Sequence, residues 1–409
     1  METTEAITKR KPFHARIKLH VLLRITQAIN NNIPAQELFG IFEFVLAQQL
    51  GIQKFAFCSF GDLGWKWAAS IGIEKKTLSQ IKPEKMLTPF SEITDISHSI
   101  IGDISGFEVI IPVFHKKKPL AYILLAKSNK RMAKHTKMRH VEFVQTISNI
   151  IAVAIENKRL AKEAVLQEVF QKELQMASVV QNMLMPANLP TNEHIHMSAR
   201  YHPQKQVGGD YFDFIKLSDD ESVFCMADVS GKGISAALIM ANFQGYLHSV
   251  LALKLTLTET ILLLNDRVIE SAKGERFITI FLAKYNYTDK QLTYVNAGHN
   301  PPIMLKGAET LLLSDGCVGL GMLDQIPSIN VGSELIGSGT LITCYTDGMV
   351  EQENDKGKEF GIEKIAEIMQ NHQRLLPEEI NTLLFKSIEN FKGLKSFSDD
   401  IALLTCKFL

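Results

Sequence analysis

Four acidic positions in the C-terminal half of the chain each fall at the end of an apolar run. They are Asp210 in VGGDYFDF, Asp228 between VFCMA and VSGKG, Asp347 after LITCYT, and Asp399 (followed by Asp400) before IALLTCKF. Carboxylates at strand ends are fixed in direction, and several of them about 4 Å apart repel strongly where water is scarce. Such a group would take up protons or bind a hard cation, because Asp, backbone carbonyl and water are preferred ligands of Mg²⁺ and Mn²⁺.

Glycines accompany these acids. Gly208 and Gly209 precede Asp210, while Gly231 and Gly348 follow the other acids closely. Glycine allows tight turns and lets an ion or ligand approach the backbone. An isolated Asp-Gly is usually only a turn, but four such positions together favour a shared metal site. Spacing alone does not show that the acids meet in space.

Five segments occur in a fixed order, namely VGGDYFDF, ADVSGKGISAAL, NAGHNPP, YTDGMVE and DDIALL. This series resembles the SpoIIE/RsbU-type branch of the metal-dependent (PPM) protein phosphatases, and ELQMASVVQNMLMPANLP resembles the helix and proline exit that introduce the family's domain. The resemblance covers residues 170 to 409. It implies a β-sandwich of two antiparallel sheets flanked by helices, with two Mn²⁺ or Mg²⁺ ions that activate water against phosphoserine or phosphothreonine.

The resemblance also implies a ligand set, and this set includes the two residues expected to be catalytic, Asp210 and Asp228. The implied metal ligands are Asp210, Asp228, the carbonyl of Val229, Asp347 and Asp399. Asp228 would bridge both ions, and Asp210 would share one of them with Val229. Asp347 and Asp399 would hold the other ion. Asp399 is favoured over Asp400 because the first acid of the final pair is the ligand in the family.

The sequence departs from the family pattern at two positions. Ser230 stands where eukaryotic members carry a histidine proposed as a proton donor, so water would protonate the leaving oxygen here. No arginine is identifiable as a phosphate-binding residue, and Lys205 is the nearest candidate. His299 lies in a turn closed by two prolines, which favours a structural role over a ligand role.

The first 160 residues predict a compact α+β unit. Helical spacing from about residue 18 to 50 is interrupted by Asn30, Asn31 and Asn32, and a strand is predicted at Lys54–Phe60. A hairpin of Phe107–Val113 and Leu120–Ala126 precedes a closing helix from about residue 136. This order resembles a GAF domain, a sensory module, over residues 18–160. The NKFDE motif of cyclic-nucleotide binders is absent, and a PAS-like or purely structural dimerisation unit is the alternative.

Residues 141–184 lack Gly and Pro and predict one long helix. Apolar residues recur along it at steps of three and four: Val165, Val169, Met176, Val179 and Met183. The pattern predicts a coiled-coil linker at 161–190 that joins two copies as a homodimer, followed by the phosphatase domain at 191–409. A single amphipathic helix packed on its own domain is the alternative.

Composition limits the classes of function. The chain has 409 residues, which suggests two or three domains, and 44 basic against 44 acidic residues, which disfavours a nucleic acid partner. Its five cysteines contain no CxxC pair and predict buried free thiols in a reducing compartment. No apolar stretch reaches the roughly 20 residues of a membrane span, and no apolar signal segment is evident. We therefore expect a cytoplasmic protein.

Two rival functions are also compatible with parts of the sequence. GGDYF resembles the GGDEF motif of diguanylate cyclases, but a cyclase leaves DVSGKG, YTDG and DDIALL unexplained. A degenerate domain acting as a scaffold is the second rival, and the presence of all four acids argues against it. The family resemblance implies a phosphorylated STAS-type anti-sigma-factor antagonist as substrate, under control of the N-terminal domain.

Overall fold

The computed structural model describes residues 2–61, 64–97, 104, 106–126 and 134–409. Contacts divide the chain into two compact units, with the boundary between Glu168 and Val169. Among the described residues, no helix is both long enough and apolar enough to cross a bilayer. All five cysteines lie in the described part and are free thiols; four are buried and Cys317 is half-buried.

The N-terminal unit is built on a five-stranded antiparallel sheet with the strand order β2-β1-β5-β4-β3. Its strands are β1 (Phe55–Gly61), β2 (Gly64–Ile71), β3 (Thr94–Asp95), β4 (Val109–His115) and β5 (Lys118–Leu125). Its helices are α1 (Glu2–Asn30), α2 (Ala35–Phe44) with a π-helical turn (Val45–Gln49), α3 (Lys75–Gln80), α4 (Pro83–Met86) and the start of α5 (Lys134–Asn182). The predicted hairpin is confirmed as β4 and β5.

Both faces of this sheet are covered. Phe55 and Phe57 pack with α1, α2 and α5, while Ala56 and Cys58 point to the opposite face, as the two-residue period of a strand requires. The prediction that helical structure begins near residue 18 was wrong. Helix α1 begins at Glu2, and Ile17, one position before the predicted start, already packs against the core of this unit.

Helix α5 is 49 residues long and confirms the predicted long helix. Its apolar stripe of Val165, Val169, Met176, Val179 and Met183 is exposed throughout, from 49% at Val169 to 74% at Met183. The helix ends before Pro186, as predicted. Exposed apolar side chains at helical spacing are compatible with a partner helix. The coiled coil and the domain boundaries remain predictions.

The C-terminal unit contains eleven strands and five helices beyond the end of α5, among the residues the structure describes. The strands are β6 (Ile195–His202), β7 (Tyr211–Lys216), β8 (Glu221–Val229), β9 (Ile278–Asn286), β10 (Gln291–Ala297), β11 (Ile303–Lys306), β12 (Glu309–Leu312), β13 (Gly316–Cys317), β14 (Gly332–Leu335), β15 (Leu341–Tyr345) and β16 (Ile401–Phe408). The longer helices are α6 (Ile234–Leu251), α7 (Leu257–Ala272), α9 (Ile362–His372) and α10 (Pro377–Lys392), and α8 (Asp347–Val350) is a single turn.

These strands form two sheets that pack face to face. One has the order β13-β10-β9-β8-β7 with β14 paired to β10, and the other the order β12-β11-β15-β16-β6. On β15, Ile342 and Cys344 join the core between the sheets, whereas Leu341 and Tyr345 pack outward under α9 and α10. Helices α6 and α7 pack on β8 and β10 of the other sheet. The result is a helix-flanked β-sandwich, as the sequence predicted.

Strand register brings four loop segments to one end of the sandwich. Tyr211 of β7 pairs with Ala227 of β8, so the start of one strand lies beside the end of the other. Tyr345 of β15 pairs with Leu403 of β16, which gives the same arrangement in the second sheet. The acids predicted as ligands flank these four strand ends.

Candidate metal centre

The structure brings the four predicted acids and Asp400 into one electrostatic group. Asp210 precedes β7, Asp228 is the penultimate residue of β8, Asp347 opens α8, and Asp399 and Asp400 precede β16. The carboxylate of Asp228 is affected by those of Asp347, Asp399 and Asp400, and it is within hydrogen-bonding reach of Asp210. Antiparallel pairing within each sheet, with the two sheets stacked, therefore gathers residues that are up to 190 positions apart.

Asp210 is the most deeply buried acid of the group, with 1% of its surface exposed. Burial first, and then the Asp228 carboxylate, raises the pKa of Asp210 well above its ordinary value. The hydroxyl of Thr346 opposes this rise by donating a hydrogen bond of 2.8 Å to Oδ2 of Asp210. The ionised form of a buried carboxylate that accepts one hydrogen bond from a neutral donor would be stabilised further by a nearby cation.

The backbone of Gly209 passes close to Asp228 and Val229 at the end of β8. Burial, followed by the charges of Asp347 and Asp399, raises the pKa of Asp228 to about 7. A Cβ atom on Gly209 would lie 2.8 Å from the carbonyl oxygen of Val229 and 3.4 Å from Oδ1 of Asp228. Glycine at this position therefore leaves both predicted ligand atoms accessible.

Asp347 is half-buried at the first turn after β15. Burial, and then the Asp399 carboxylate, raises the pKa of Asp347 to about 6. A Cβ atom on the following residue, Gly348, would overlap the backbone carbonyl of Asp400. At Asp347 and Gly348 the chain therefore turns and also passes close to the segment that contains Asp400.

The last two acids have different surroundings. Asp400 is 7% exposed, and its two oxygens accept hydrogen bonds from the backbone N–H groups of Gln204 (2.7 Å) and Gly209 (2.8 Å). The side chain of Asp399 is 30% exposed, and its Oδ2 lies 2.6 Å from Nζ of Lys232. Asp400 therefore ties backbone segments together, while the carboxylate of Asp399 is partly exposed and paired with a lysine side chain. This difference supports Asp399 as the ligand of the pair.

The donor set fits a hard divalent cation. All the side chains in the group, with the Val229 carbonyl, offer oxygen. The raised pKa values of Asp228 and Asp347 reflect burial first and then crowding of carboxylates, and a cation would offset both. In the described part of the chain, no three His, Cys, Asp or Glu side chains already stand in a ligating arrangement. Oxygens of Asp210, Asp399 and Asp400 instead accept hydrogen bonds or pair with Lys232. Side-chain rotation would have to accompany metal binding.

Three cationic side chains surround the loop after Asp228. The guanidinium of Arg276 lies against Gly231, which has a φ of 93°, and donates a 3.0 Å hydrogen bond to the carbonyl of Ser230. Lys232 pairs with Asp399, and the stem of Lys205 is 3.9 Å from where a Cβ on Gly233 would lie. Arg276 was missed because it is distant in sequence from every acid of the group.

Ser230, which replaces the eukaryotic histidine, has a structural bond. Its hydroxyl accepts a 2.9 Å hydrogen bond from the backbone N–H of Phe277, and its own N–H donates to the carbonyl of Phe277. These bonds join the loop after β8 to the start of β9. Ser230 therefore holds the loop rather than facing a substrate.

His299 is buried behind the acidic group. Its Nδ1 lies 3.0 Å from the hydroxyl of Thr279, and its backbone N–H donates to the side chain of Asn296 at 2.8 Å. Thr279 in turn stands opposite Asp228 in the pairing of β8 with β9. Burial lowers the pKa of His299 to about 4, so the ring is neutral. This environment supports the structural role that the sequence favoured.

Sequence reasoning missed two hydroxyl groups at the site. Thr346 bridges Asp210 and the backbone of Ala402. Tyr201 has a buried hydroxyl without a hydrogen-bond partner among the described residues, close to Asp400. Hydroxyl side chains within strands have no spacing that distinguishes them from ordinary strand residues, although Thr346 does stand directly before Asp347.

The fold defines the class of the C-terminal unit. It is similar to the SiaA-PP2C domain of Pseudomonas aeruginosa, with a TM-score of 0.53 and 20% sequence identity. The similarity covers 60% of this chain and all of that domain. The C-terminal unit therefore has a PP2C-like fold.

The family follows from the sequence comparisons. Residues 218–409 match the family described as stage II sporulation protein E (SpoIIE). The chain is 30% identical over 194 residues to the phosphoserine phosphatase RsbU of Bacillus subtilis, covering 47% of this chain and 57% of the relative. It is 24% identical over 276 residues to protein IcfG of Synechocystis, covering 60% and 43%. The chain thus spans about half the length of these relatives. Residues 218–409 therefore form a SpoIIE-type domain, which confirms the main part of the resemblance.

Proposed function

We propose that this protein is a phosphoprotein Ser/Thr phosphatase that depends on two Mn²⁺ or Mg²⁺ ions. The observation that carries the proposal is the convergence of five carboxylates at one end of a PP2C-like sandwich, with raised pKa values at Asp210, Asp228 and Asp347. Two relatives, RsbU and RsbP of Bacillus subtilis, are named phosphoserine phosphatases. Acidic side chains with only a structural role at the surface would stay in water, because burying several carboxylates together costs free energy.

Divalent cations, when bound, lower the pKa of coordinated water and neutralise charge on the transferring phosphoryl group. Asp228 would contact both ions. Asp210 and the carbonyl of Val229 would complete one site, and Asp347 and Asp399 the other. Thr346 orients Asp210 through its hydrogen bond, and Asp400 holds the Gly209 backbone that leaves Val229 accessible.

The cationic side chains around the loop after Asp228 would bind the anionic substrate. A phosphoserine side chain carries close to two negative charges and is repelled by the acids unless cations compensate. Arg276 lies beside this loop and Lys232 lies within it, and both can donate charge-assisted hydrogen bonds to phosphate oxygens. They are better candidates for this role than Lys205, which the sequence suggested.

The N-terminal unit would act as a GAF-like sensor. Its five-stranded antiparallel sheet with helices on both faces suits a sensory module, and a PAS-like or structural dimerisation unit remains the alternative. The sensor would act on the phosphatase through the helical linker at 161–190. Deleting residues 1–160 tests this control, since unchanged turnover with every candidate partner would contradict it.

The exposed apolar stripe of α5 would pair with a second copy of the chain in a coiled coil. Replacing Met176, which is 72% exposed, with Glu should dissociate such a homodimer. Gln175→Glu adds the same charge one residue away, off the stripe, and serves as the control. Sedimentation of both variants decides the question: a wild-type monomer, or a Met176→Glu dimer, would contradict the coiled coil.

The substrate, by family resemblance, would be a phosphorylated STAS-type anti-sigma-factor antagonist in the cytoplasm. The first experiment is Mn²⁺-dependent hydrolysis of a generic phosphoester by the full chain and by Asp228→Asn. Activity that requires metal and is lost in the variant would support the phosphatase. No hydrolysis of phosphoesters or phosphoproteins by a folded, Mn²⁺-loaded protein would favour a scaffold, and turnover of GTP would favour a cyclase.

A further inference from the structure

Gln181 is a buried polar residue one position before the end of α5. It is 6% exposed, whereas Gln171 on the same helix is exposed. The Gln181 amide makes two hydrogen bonds to one residue: Nε2 donates to the carbonyl of Gly208 at 2.6 Å, and Oε1 accepts from the Gly208 N–H at 3.2 Å. The end of the linker helix is thereby joined to the backbone two residues before Asp210.

Gly208 is held on its other side by the acidic group. A Cβ atom there would overlap the carboxylate of Asp400 and the hydroxyl of Tyr201, so only glycine fits. The next N–H, that of Gly209, donates to Oδ2 of Asp400 at 2.8 Å. The segment that carries Asp210 is therefore clamped between a side chain of α5 and a carboxylate of the site.

We propose that Gln181 is a positioning residue of the metal centre, which fixes Gly208 and so sets the affinity of the Asp210 site for divalent cations. The inference rests on the proposed metal-dependent activity and adds to it the point where the linker helix meets the site. Side chains reach about 5 Å from a helix axis, so rotation of α5 would carry the amide away from Gly208. The state of this helix end is thus conveyed to Asp210.

A purely structural role for Gln181 makes a different prediction. If the amide only anchors the helix end, its loss should lower thermal stability and leave the metal affinity of the folded protein unchanged. If it positions the site, Gln181→Leu leaves the buried Gly208 N–H and carbonyl without partners. The segment before Asp210 would then shift or admit water, and the metal affinity would fall.

The test is Mn²⁺ binding to the full-length protein by isothermal titration calorimetry. We expect Gln181→Leu to bind Mn²⁺ roughly tenfold more weakly, and phosphoester turnover to recover at saturating Mn²⁺. The control is Gln171→Leu, the same substitution on the same helix. Gln171 accepts a 2.6 Å hydrogen bond from Gln206 of the same loop but is exposed, so its loss should leave the affinity unchanged.

Three outcomes separate the possibilities. A folded Gln181→Leu protein with wild-type Mn²⁺ affinity would overturn the inference, as would equal weakening by Gln171→Leu. If Gln181→Leu does not fold, Gln181→Asn, which is too short to reach both backbone groups, should show the same weakening. Absence of Mn²⁺ binding by the folded wild-type protein would instead refute the proposed metal dependence, and the inference with it.

Discussion

The hydroxyl of Thr346 donates a 2.8 Å hydrogen bond to Oδ2 of Asp210 and accepts a 2.9 Å hydrogen bond from the N–H of Ala402. Thr346 follows β15 and Ala402 lies in β16 of the same sheet, whereas Asp210 precedes a strand of the other sheet. A single buried hydroxyl thus uses both its donor and an acceptor site to join the two sheets at the acidic group. This contact orients the most deeply buried acid of the site.

Thr346→Val removes this donor while keeping the shape of the side chain. The hydrogen bond favours ionised Asp210, so its loss should raise the pKa of Asp210 further. We expect weaker Mn²⁺ affinity, a pH profile of turnover displaced to higher pH, and a loss of stability of about 1 kcal/mol. Calorimetric titration with Mn²⁺ and pH–rate curves measure the first two effects.

The matched control is Thr343→Val on the same strand. Thr343 is also fully buried, and its hydroxyl lies 3.1 Å from that of Thr405, away from the acids. This variant should lose a similar amount of stability and keep the wild-type pH profile. The same displacement of the profile in both variants would show that general loosening of β15, rather than the bond to Asp210, is responsible.

The metal-free protein should become less stable as the pH rises. The pKa of Asp228 is about 7 and that of Asp347 about 6 in the folded protein, against an ordinary value of 3.8. A carboxyl whose pKa is raised by folding contributes stability that is complete below its unfolded pKa and lost as the pH rises through the folded value. Stability should therefore fall between about pH 4 and pH 7.

Thermal unfolding in the presence of a chelator measures this slope. Asp228→Asn, which cannot ionise, should show a flatter dependence on pH than the wild-type protein. Mn²⁺ should bind with release of protons below pH 7, which calorimetry in buffers of different ionisation enthalpy can detect. Identical slopes for the variant and the wild type would contradict the raised pKa of Asp228.

The sequence predicted the C-terminal sandwich because strand ends, glycine turns and five ordered motifs all pointed to the same arrangement, and the four acids that it singled out lie close together. It could not show that Asp399 and Asp400 differ, since that depends on which carboxylate meets the N–H groups of Gln204 and Gly209. Arg276 likewise becomes part of the site only because β9 pairs beside β8. Contacts of this kind depend on tertiary structure and leave no local pattern.

The ion pair of Lys232 and Asp399 predicts an effect on metal affinity. The ammonium lies 2.6 Å from Oδ2 of Asp399, so a cation held by Asp399 has to displace it. The side chains are 42% and 30% exposed, and solvent screens such a pair. Lys232→Met should therefore strengthen Mn²⁺ binding only modestly, by roughly two- to fivefold.

Lys205→Met is the control for Lys232, because it removes the same charge near the same loop without breaking an ion pair in the described part of the chain. Its effect on Mn²⁺ affinity should be smaller. Weaker Mn²⁺ binding by Lys232→Met would show that the lysine, through its 2.8 Å bond to the carbonyl of Ser398, organises the ligand loop instead of competing with the metal.

His299 should prove to be a structural residue. His299→Leu leaves the hydroxyl of Thr279 without its 3.0 Å partner, which should cost about 1–3 kcal/mol of stability. The pKa of His299 is lowered to about 4, below the ordinary 6.5, so wild-type stability should fall as the pH drops from about 6.5 towards 4. The variant should lose this part of the acid dependence, because leucine takes up no proton. The exposed His372 of α9, changed to Leu, is the control. Urea unfolding at several pH values measures both effects.

Mn²⁺ affinity and turnover of the folded His299→Leu variant should stay within about twofold of wild type, because the neutral ring reaches Asp228 only through Thr279. A variant of wild-type stability that has lost turnover would instead make His299 a participant in the reaction.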